Sequence, residues 1–262
     1  MSARGLARDG FVAREGDVAR VQPEFRPLVA AYVSAAREAF GDAGLDSVYV
    51  YGSVPRGTAR PGVSDLDGQV LLDHEPTPAD HATVRTIEAR LAVEHPEVSG
   101  AGILLHSRTR MTDPARRFDE GFHVRVLCTP VWGPDAGAHV RPHRPDLALA
   151  RQVQGDWRTA FARLRSRADS VDPVEEAALC RTVGRRLARV AFTWVMPRWG
   201  GWTSDPQTTS AVVAELEPSW EEPVRRAVAL GWDGKVDVPA ARSLLGTFAD
   251  QLTVRGEELG AR

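Results

Sequence analysis

The feature that most constrains the fold is the stretch of residues 48–72, where two apolar segments enclose a Gly-Ser turn and an Asp-x-Asp pair. Residues 48–51 are β-branched or aromatic and predict a buried strand. Gly52 and Ser53 break that strand, because glycine lets the backbone bend sharply and approach a ligand closely. The chain is therefore predicted to form a strand, a tight turn, a Gly- and Pro-rich loop and a second strand.

The second strand is predicted to begin with the acidic pair Asp65 and Asp67. Because side chains alternate along a strand, both carboxylates project from one face while Leu66 points into the core. Two neighbouring carboxylates repel each other unless a cation lies between them, and Mg²⁺ prefers such oxygen ligands together with substrate phosphates. Backbone N–H groups and the hydroxyl at Gly52-Ser53 can meet phosphate oxygens. These parts indicate phosphoryl or nucleotidyl transfer.

The motif GSVPRGTARPGVSDLDG resembles the signature of the polymerase-β-type nucleotidyltransferase superfamily, especially its small bacterial members. The resemblance implies that Asp65 and Asp67 are catalytic and bind Mg²⁺, with ATP as the co-substrate. It also implies that Gly52 and Ser53 cradle the triphosphate and that Arg56 lies near its outer oxygens. A β-turn-β unit with two solvated aspartates is the alternative, and in it Arg56 is a solvated loop cation.

Ser64, just before the acidic pair, is expected to hydrogen-bond either the loop or a phosphate. Around the motif, residues 1–22 are polar and indicate a loose arm or a short lead-in. Apolar periodicity then predicts a helix from residue 25 to Gly41, a helix near 80–94, a third strand at 102–106 and a fourth at 123–128. A turn follows at 131–135, and a Pro-, His- and Gly-rich linker follows at 136–146.

The remainder of the chain has helical spacing throughout. Helices are predicted at 147–167, at 174–196 with Pro197 as the stop, and near 207–216, 219–230 and 239–258. This half resembles the C-terminal helical domain of streptomycin/spectinomycin-type aminoglycoside adenylyltransferases. The predicted fold is α+β, with an N-terminal nucleotidyltransferase domain (1–140, a mixed sheet flanked by helices) and an all-α helical bundle (141–262).

Two expected residues are missing from the sequence. The superfamily commonly supplies a third carboxylate from the third strand, but that strand reads SGAGILLHS and holds no acid. Glu97, Asp113 and His106 are the alternatives for a general base, and the sequence does not choose among them. Adenylyltransferases of this type also tend to carry a phosphate-binding lysine after the long helix, where this chain has the residues Gly201, Trp202, Thr203 and Ser204. Arginines on one face of the long helix are possible substitutes or a solvated surface: Arg181, Arg185 and Arg189.

Acceptor contacts are predicted at the start of the long helix, where Asp172, Glu175 and Glu176 are suited to a polyamine sugar. Their alternative role is the ordinary one of acids at a helix N-terminus. Several tryptophans could stack on a substrate or fill the core: Trp157, Trp194, Trp199 and Trp202.

Composition limits the possible partners. A net charge of −2 gives no basic field for nucleic acid. No apolar run is long enough for a membrane span, and the N-terminus lacks the apolar core of a signal peptide, so we expect a cytoplasmic protein. Cys128 and Cys180 are far apart in the sequence and are expected to be buried reduced thiols.

Three functions are compatible with these observations. The first is Mg²⁺-dependent transfer of AMP from ATP to a hydroxyl of a small molecule, with an aminoglycoside-like antibiotic as the leading acceptor. The second is nucleotidyl transfer to a protein or tRNA, as in toxin–antitoxin pairs. The third is a catalytically silent nucleotide-binding protein, which the missing third acid suggests.

Overall fold

The structure, a computed structural model, describes residues 4–261 apart from the side chain of Asp42. The chain forms two compact units. The first, called here the sheet unit, runs from Ala13 to His143. The second, called the helical unit, combines the chain from Arg144 onward with the N-terminal segment that ends at Val12. The sequence predicts that the nucleotidyltransferase domain ends at residue 140 and the helical domain begins at residue 141. This boundary between functional domains stays a prediction.

The sheet unit contains a four-stranded mixed sheet in the order β3-β2-β1-β4. Strand β1 is antiparallel to both β2 and β4, and β2 is parallel to β3. In chain order its elements are α1 (Arg26–Gly44), β1 (Leu45–Tyr51), α2 (Ser53–Arg56), β2 (Leu66–Leu72), α3 (Pro78–Glu94), β3 (Ala101–Ser107), α4 (Arg108–Thr112), α5 (Glu120–Phe122) and β4 (Thr129–Trp132).

The two faces of the sheet have different surroundings. One face packs on α1 and α3 through a large apolar core that includes Leu28, Val70 and Ile87. The other carries a smaller cluster that includes Tyr49, Leu71 and Cys128. Successive side chains of a strand point to opposite faces of the sheet. Asp67 therefore shares this second face with Leu71, away from the main core.

The predicted fourth strand at residues 123–128 is wrong. This segment is a π-helical turn, His123–Leu127, in which the amide of Cys128 donates to the carbonyl of His123 over 3.0 Å, and β4 begins only at Thr129. Val124 and Val126 are nevertheless both buried between half-buried neighbours, so burial alternates as it would in a strand. The alternating pattern therefore indicated burial correctly and the backbone conformation incorrectly.

The helical unit contains α6 (Leu147–Ala150), α7 (Trp157–Asp169), α8 (Glu176–Trp199), α9 (Pro206–Leu216), α10 (Glu221–Trp232), α11 (Val238–Ser243) and α12 (Ala249–Glu258). A single helix at 147–167 is wrong, because the chain turns at Gly155 with a φ of +53° and Asp156 then caps α7. Pro197 does not stop α8, which continues to Trp199 and ends at the left-handed Gly200. The single helix predicted near 239–258 is interrupted by a π-helical turn, Leu244–Phe248.

Helix α8 is the centre of the helical unit and crosses α10 at very short range. A β-carbon added at Gly184 would lie 2.3 Å from the carbonyl oxygen of Ala227 and 2.5 Å from the amide nitrogen of Gly231. Trp157 and Trp194 are buried, with ring centroids 5.6 Å apart, so both fill the core. In residues 4–261, none of the helices combines the length and the apolar character that a membrane crossing requires.

Candidate active site

The Gly-Ser turn lies at the end of β1. Gly52 has a φ of +75°, a left-handed conformation that favours glycine. Ser53 begins the four-residue helix α2, and Gly57 closes it with a φ of +72° and an amide bonded to the carbonyls of Ser53 and Val54. The predicted tight turn is therefore a glycine-flanked single helical turn.

Asp67 lies directly against that turn. The antiparallel register pairs Tyr51 with Asp67, which brings the end of β1 beside the start of β2. A β-carbon added at Gly52 would lie 2.1 Å from Oδ2 of Asp67, far inside van der Waals contact. The two halves of the motif are thus one structural unit, because the Asp67 carboxylate occupies the space that a side chain at position 52 would need.

Asp65 immediately precedes β2, and both aspartates are half-buried. Leu66 between them is fully buried in the main core, as the alternation of the strand predicts. Ser64 holds the preceding loop: its hydroxyl accepts from the amide of Arg60 over 2.9 Å, and its carbonyl accepts from the amide of Ser99 over 2.9 Å. Of the two contacts expected for Ser64, the structure contains the one to the loop.

The parallel register of β2 and β3 identifies the residue of β3 that lies beside Asp67. Asp67 pairs with Gly102, so a carboxylate level with it on β3 would have to come from that position. A β-carbon at either Gly100 or Gly102 would meet no atom within 4 Å. Within the described part of the chain, no group of three or more His, Cys, Asp or Glu side chains is arranged to hold a metal ion.

The residues considered as general bases are engaged elsewhere. The carboxylate of Glu97 is 2.9 Å from Nδ1 of His95, and Asp113 caps the turn Pro114–Arg116. His106 is level with Leu71, four residues beyond Asp67, which corresponds to about 13 Å along the strand.

His106 contacts Gln69, whose Nε2 lies 3.0 Å from its Nδ1. Burial lowers the pKa of His106, so the neutral imidazole is favoured. Burial also raises the pKa of the Cys128 thiol, and both Cys128 and Cys180 are free and buried, as expected. A protonated, buried thiol is poorly suited to bind a metal or act as a nucleophile.

The three acids predicted to contact the acceptor are exposed or half-buried, and one of them caps a helical turn. Asp172 accepts from the amide of Val174 over 3.0 Å and caps the turn Pro173–Glu175. Glu175 lies 3.7 Å from Arg167, and Glu176 begins α8. In residues 4–261 these acids are not part of any group of three or more His, Cys, Asp or Glu side chains that could hold a metal ion.

The arginine row of α8 does not act as one surface. Arg181 and Arg189 are exposed, whereas Arg185 donates to the carbonyl of Gly231 over 2.9 Å and lies over the ring of Trp232. In the loop after α8, the amide of Trp202 donates to the carbonyl of Arg4 over 2.9 Å. Trp202 is buried and Trp199 half-buried, and Phe192 contacts both rings edge-on.

Two half-buried carboxylates beside a turn with a left-handed glycine are suited to a hard divalent cation, because all their donor atoms are oxygens. Asp65 and Asp67 would supply only two protein ligands. Mg²⁺ usually keeps several waters and takes the remaining ligands from substrate phosphates, so two carboxylates fit this ion.

Comparison with known proteins agrees with the fold predicted from the sequence. Residues 33–112, which run from α1 through α4, match the family model of the nucleotidyltransferase domain. The fold is also similar to that of spectinomycin adenyltransferase AAD(9) from Enterococcus faecialis, solved with ATP and spectinomycin. That likeness has a TM-score of 0.53 and 13% sequence identity and covers 88% of this chain and 98% of that chain. No curated protein matches the sequence at a significant level. Residues 33–112 thus match a nucleotidyltransferase domain, a helical region follows them, and the fold of the chain resembles that of the solved spectinomycin adenyltransferase.

Proposed function

We propose that this protein is a Mg²⁺-dependent nucleotidyltransferase that transfers AMP from ATP to a hydroxyl of a small, aminoglycoside-like molecule. The observation that carries the proposal is the contact between Gly52 and Asp67. A β-carbon at Gly52 would come within 2.1 Å of the Asp67 carboxylate. A turn suited to phosphate and a carboxylate suited to a metal are therefore adjacent, as transfer of a nucleotide from a triphosphate requires.

Each residue of the motif has a distinct task in this proposal. Asp65 and Asp67 hold Mg²⁺, which when bound neutralises charge on the phosphates and on the attacking and leaving oxygens. The Gly52-Ser53 turn positions the triphosphate through its backbone amides and the hydroxyl. Arg56, at the end of α2, contacts the outer phosphate oxygens as a planar cation.

The acceptor is inferred by analogy alone. One solved protein with a similar fold is a spectinomycin adenyltransferase, and the match covers 88% of this chain and 98% of that chain. Asp172, Glu175 and Glu176 remain candidates for contacts with an amino sugar, because anionic groups attract a polyamine. We propose an aminoglycoside-like acceptor on this basis.

The first test is isothermal titration with a non-hydrolysable ATP analogue, with and without Mg²⁺. We expect Mg²⁺-dependent binding in the wild type and its loss in Asp67→Asn. Asp73→Asn, which neutralises an exposed aspartate just after β2, is the matched control and should bind as the wild type does. Absence of binding by the wild type would refute the proposal.

The second test identifies the acceptor. Incubation with labelled ATP, Mg²⁺ and a panel of aminoglycosides should give a labelled small molecule. Labelling of a protein or of tRNA would instead assign the chain to the toxin–antitoxin type of transferase.

One observation favours a second candidate, a nucleotide-binding protein without catalysis. Gly102 lies on β3 beside Asp67, where a third acid would be expected, and the space beside it is open. Binding of the ATP analogue, together with no turnover of ATP on the acceptors tested, would support this candidate.

A further inference from the structure

Part of the N-terminal segment, for which the sequence indicated a loose arm or a short lead-in, is fixed against the nucleotide motif. We call residues 14–20 the N-terminal strap. The amide of Glu15 donates to the carbonyl of Val126 over 2.9 Å, and the amide of Asp17 donates to the carbonyl of Pro55 in α2 over 2.9 Å. The strap therefore bridges the π-helical turn before β4 and the helical turn that follows Gly52.

Contacts hold the strap at both ends. Nη2 of Arg14 contacts both carboxylate oxygens of Asp135, at 3.0 and 2.8 Å, and its Nε donates to the carbonyl of Arg125 over 3.2 Å, so two groups restrict the position of the guanidinium. At the other end, a β-carbon at Gly57 would lie 2.7 Å from the carbonyl oxygen of Arg20. The end of α2 and the end of the strap are thus in close backbone contact.

The middle of the strap is equally constrained. A β-carbon at Gly16 would lie 2.2 Å from Oγ1 of Thr129 and 2.8 Å from Cβ of Pro55. Only glycine fits between β4 and α2 at this position. The neighbouring residue, Glu15, consequently has little freedom to move away from α2.

Glu15 uses this fixed position to contact Arg56. Its Oε2 lies 3.4 Å from Nη1 of Arg56, and the two side chains are only 14% and 28% exposed. An arginine side chain is long and loses considerable conformational entropy when it is held in one place. A carboxylate on a fixed backbone, partly shielded from water, restrains the guanidinium more effectively than an exposed partner would.

We propose that Glu15 is a positioning residue, which holds the Arg56 guanidinium in place for the terminal phosphates of the nucleoside triphosphate. This inference rests on the proposed function, in which Arg56 contacts those phosphates. The restraint is present before the nucleotide arrives, so binding does not have to order Arg56. The strap thereby contributes to the preference for a triphosphate over a monophosphate.

Whether Glu15→Gln weakens or strengthens nucleotide binding distinguishes a positioning role of Glu15 from a purely electrostatic one. Removing a negative charge near an anion site should by itself strengthen phosphate binding. Positioning predicts the reverse, a loss of about three- to tenfold in affinity for a non-hydrolysable ATP analogue with Mg²⁺. Affinity for AMP, which lacks the terminal phosphates, should remain unchanged.

A double-mutant cycle with Arg56→Ala tests whether the effect of Glu15 is transmitted through Arg56. Arg56→Ala should weaken binding of the ATP analogue at least as much as Glu15→Gln, and Glu15→Gln should cause no further loss in its presence. Glu38→Gln, which alters an exposed acid of α1 that pairs with Arg90 at 3.9 Å, is the control and should bind like the wild type.

Three results would overturn the inference: unchanged or stronger binding of the ATP analogue by Glu15→Gln, an equal loss for AMP, or additive losses in the double mutant. Should Glu15→Gln prove unstable, Glu15→Asp tests the same pair: it keeps the charge but shortens the side chain, and it should weaken binding of the ATP analogue while leaving AMP binding unchanged. If the wild type itself failed to bind the analogue, the proposed function would be refuted instead. Failure of the proposed function and failure of the inference about Glu15 therefore give different results.

Discussion

The end of β1 in the sheet unit and the crossing of α8 and α10 in the helical unit both depend on a glycine with no room for a β-carbon. At Gly52 the obstructing atom belongs to the Asp67 carboxylate, 2.1 Å away, and the backbone φ is +75°. At Gly184 the obstructing atoms belong to the backbones of Ala227 and Gly231. One glycine makes space for an acidic side chain, and the other makes space for a second helix.

The comparison shows that close approach alone does not identify a site. Two helix backbones that pass within a few Å of each other bring together only carbonyls and amides that already have partners in their own helices. A glycine beside a carboxylate leaves a charged group next to a bend whose amides face a ligand. The chemical identity of the obstructing atom, rather than the distance, separates function from packing.

The largest expected effect is on stability, at the helix crossing. Gly184→Ala places a methyl group 2.3 Å from a carbonyl oxygen, and neither backbone can move without displacing its helix. We expect the free energy of unfolding to fall by about 2–4 kcal/mol, measured by urea denaturation. Gly246→Ala is the control, because its β-carbon meets no atom within 4 Å. Equal effects of the two changes would contradict close packing at Gly184.

The second effect is on ligand binding, at the Gly-Ser turn. Gly52→Ala displaces the Asp67 carboxylate, so we expect affinity for the ATP analogue with Mg²⁺ to fall by about tenfold or more. The left-handed φ should also cost about 1–2 kcal/mol of stability.

Gly62→Ala is the matched control for this change. It shares the left-handed φ, at +70°, but its β-carbon would meet no atom within 4 Å. It should lose stability and retain nucleotide binding. If Gly62→Ala weakened binding as much as Gly52→Ala, backbone strain rather than the contact with Asp67 would explain the effect.

A third prediction concerns the open space opposite Asp67. Gly102→Asp places a carboxylate level with Asp67 on the neighbouring strand, where nothing obstructs it. We expect the Mg²⁺ concentration needed for half-maximal binding of the ATP analogue to fall by about three- to tenfold, because a third oxygen ligand raises affinity. Leu104→Asp, two residues further along the same face, should have no such effect.

The smallest expected effect is a pH dependence linked to histidine, which arises in the sheet unit because all seven histidines precede Arg144. Burial lowers the pKa of His106 below its ordinary value of 6.5. The unfolded chain therefore binds the proton more readily, and the stability that the neutral imidazole contributes is lost as pH falls below 6.5.

His106→Asn should reduce this slope, measured as the free energy of unfolding at several pH values from about 7.5 to about 5, a range that includes the ordinary pKa of histidine. The wild type should lose slightly more stability than the variant across this range. The exposed His74 has the opposite sign, because hydrogen bonding to Asp73 raises its pKa. An unchanged slope in His106→Asn would show that other histidines dominate.

Much of the fold could be predicted from local patterns. The Gly-Ser turn and the alternation around Leu66 indicated the strand pair correctly, and the periodicity of the long helix indicated the core positions of α8. The π-helical turn at His123–Leu127 was missed because its valines are buried in alternation, as in a strand. A period-2 pattern describes which side chains are buried, and more than one backbone conformation can satisfy it.

The sequence by itself determined the pair of strands around the Gly-Ser turn and the residues of the acidic pair, because strand alternation and glycine's freedom are local properties of the backbone. Only the tertiary structure decided which residues surround that pair. The register of β2 and β3 separates His106 from Asp67 and leaves Gly102 opposite it. The strap brings Glu15 to Arg56 across 41 positions of sequence. No local pattern indicates such neighbours, since they depend on how distant segments pack.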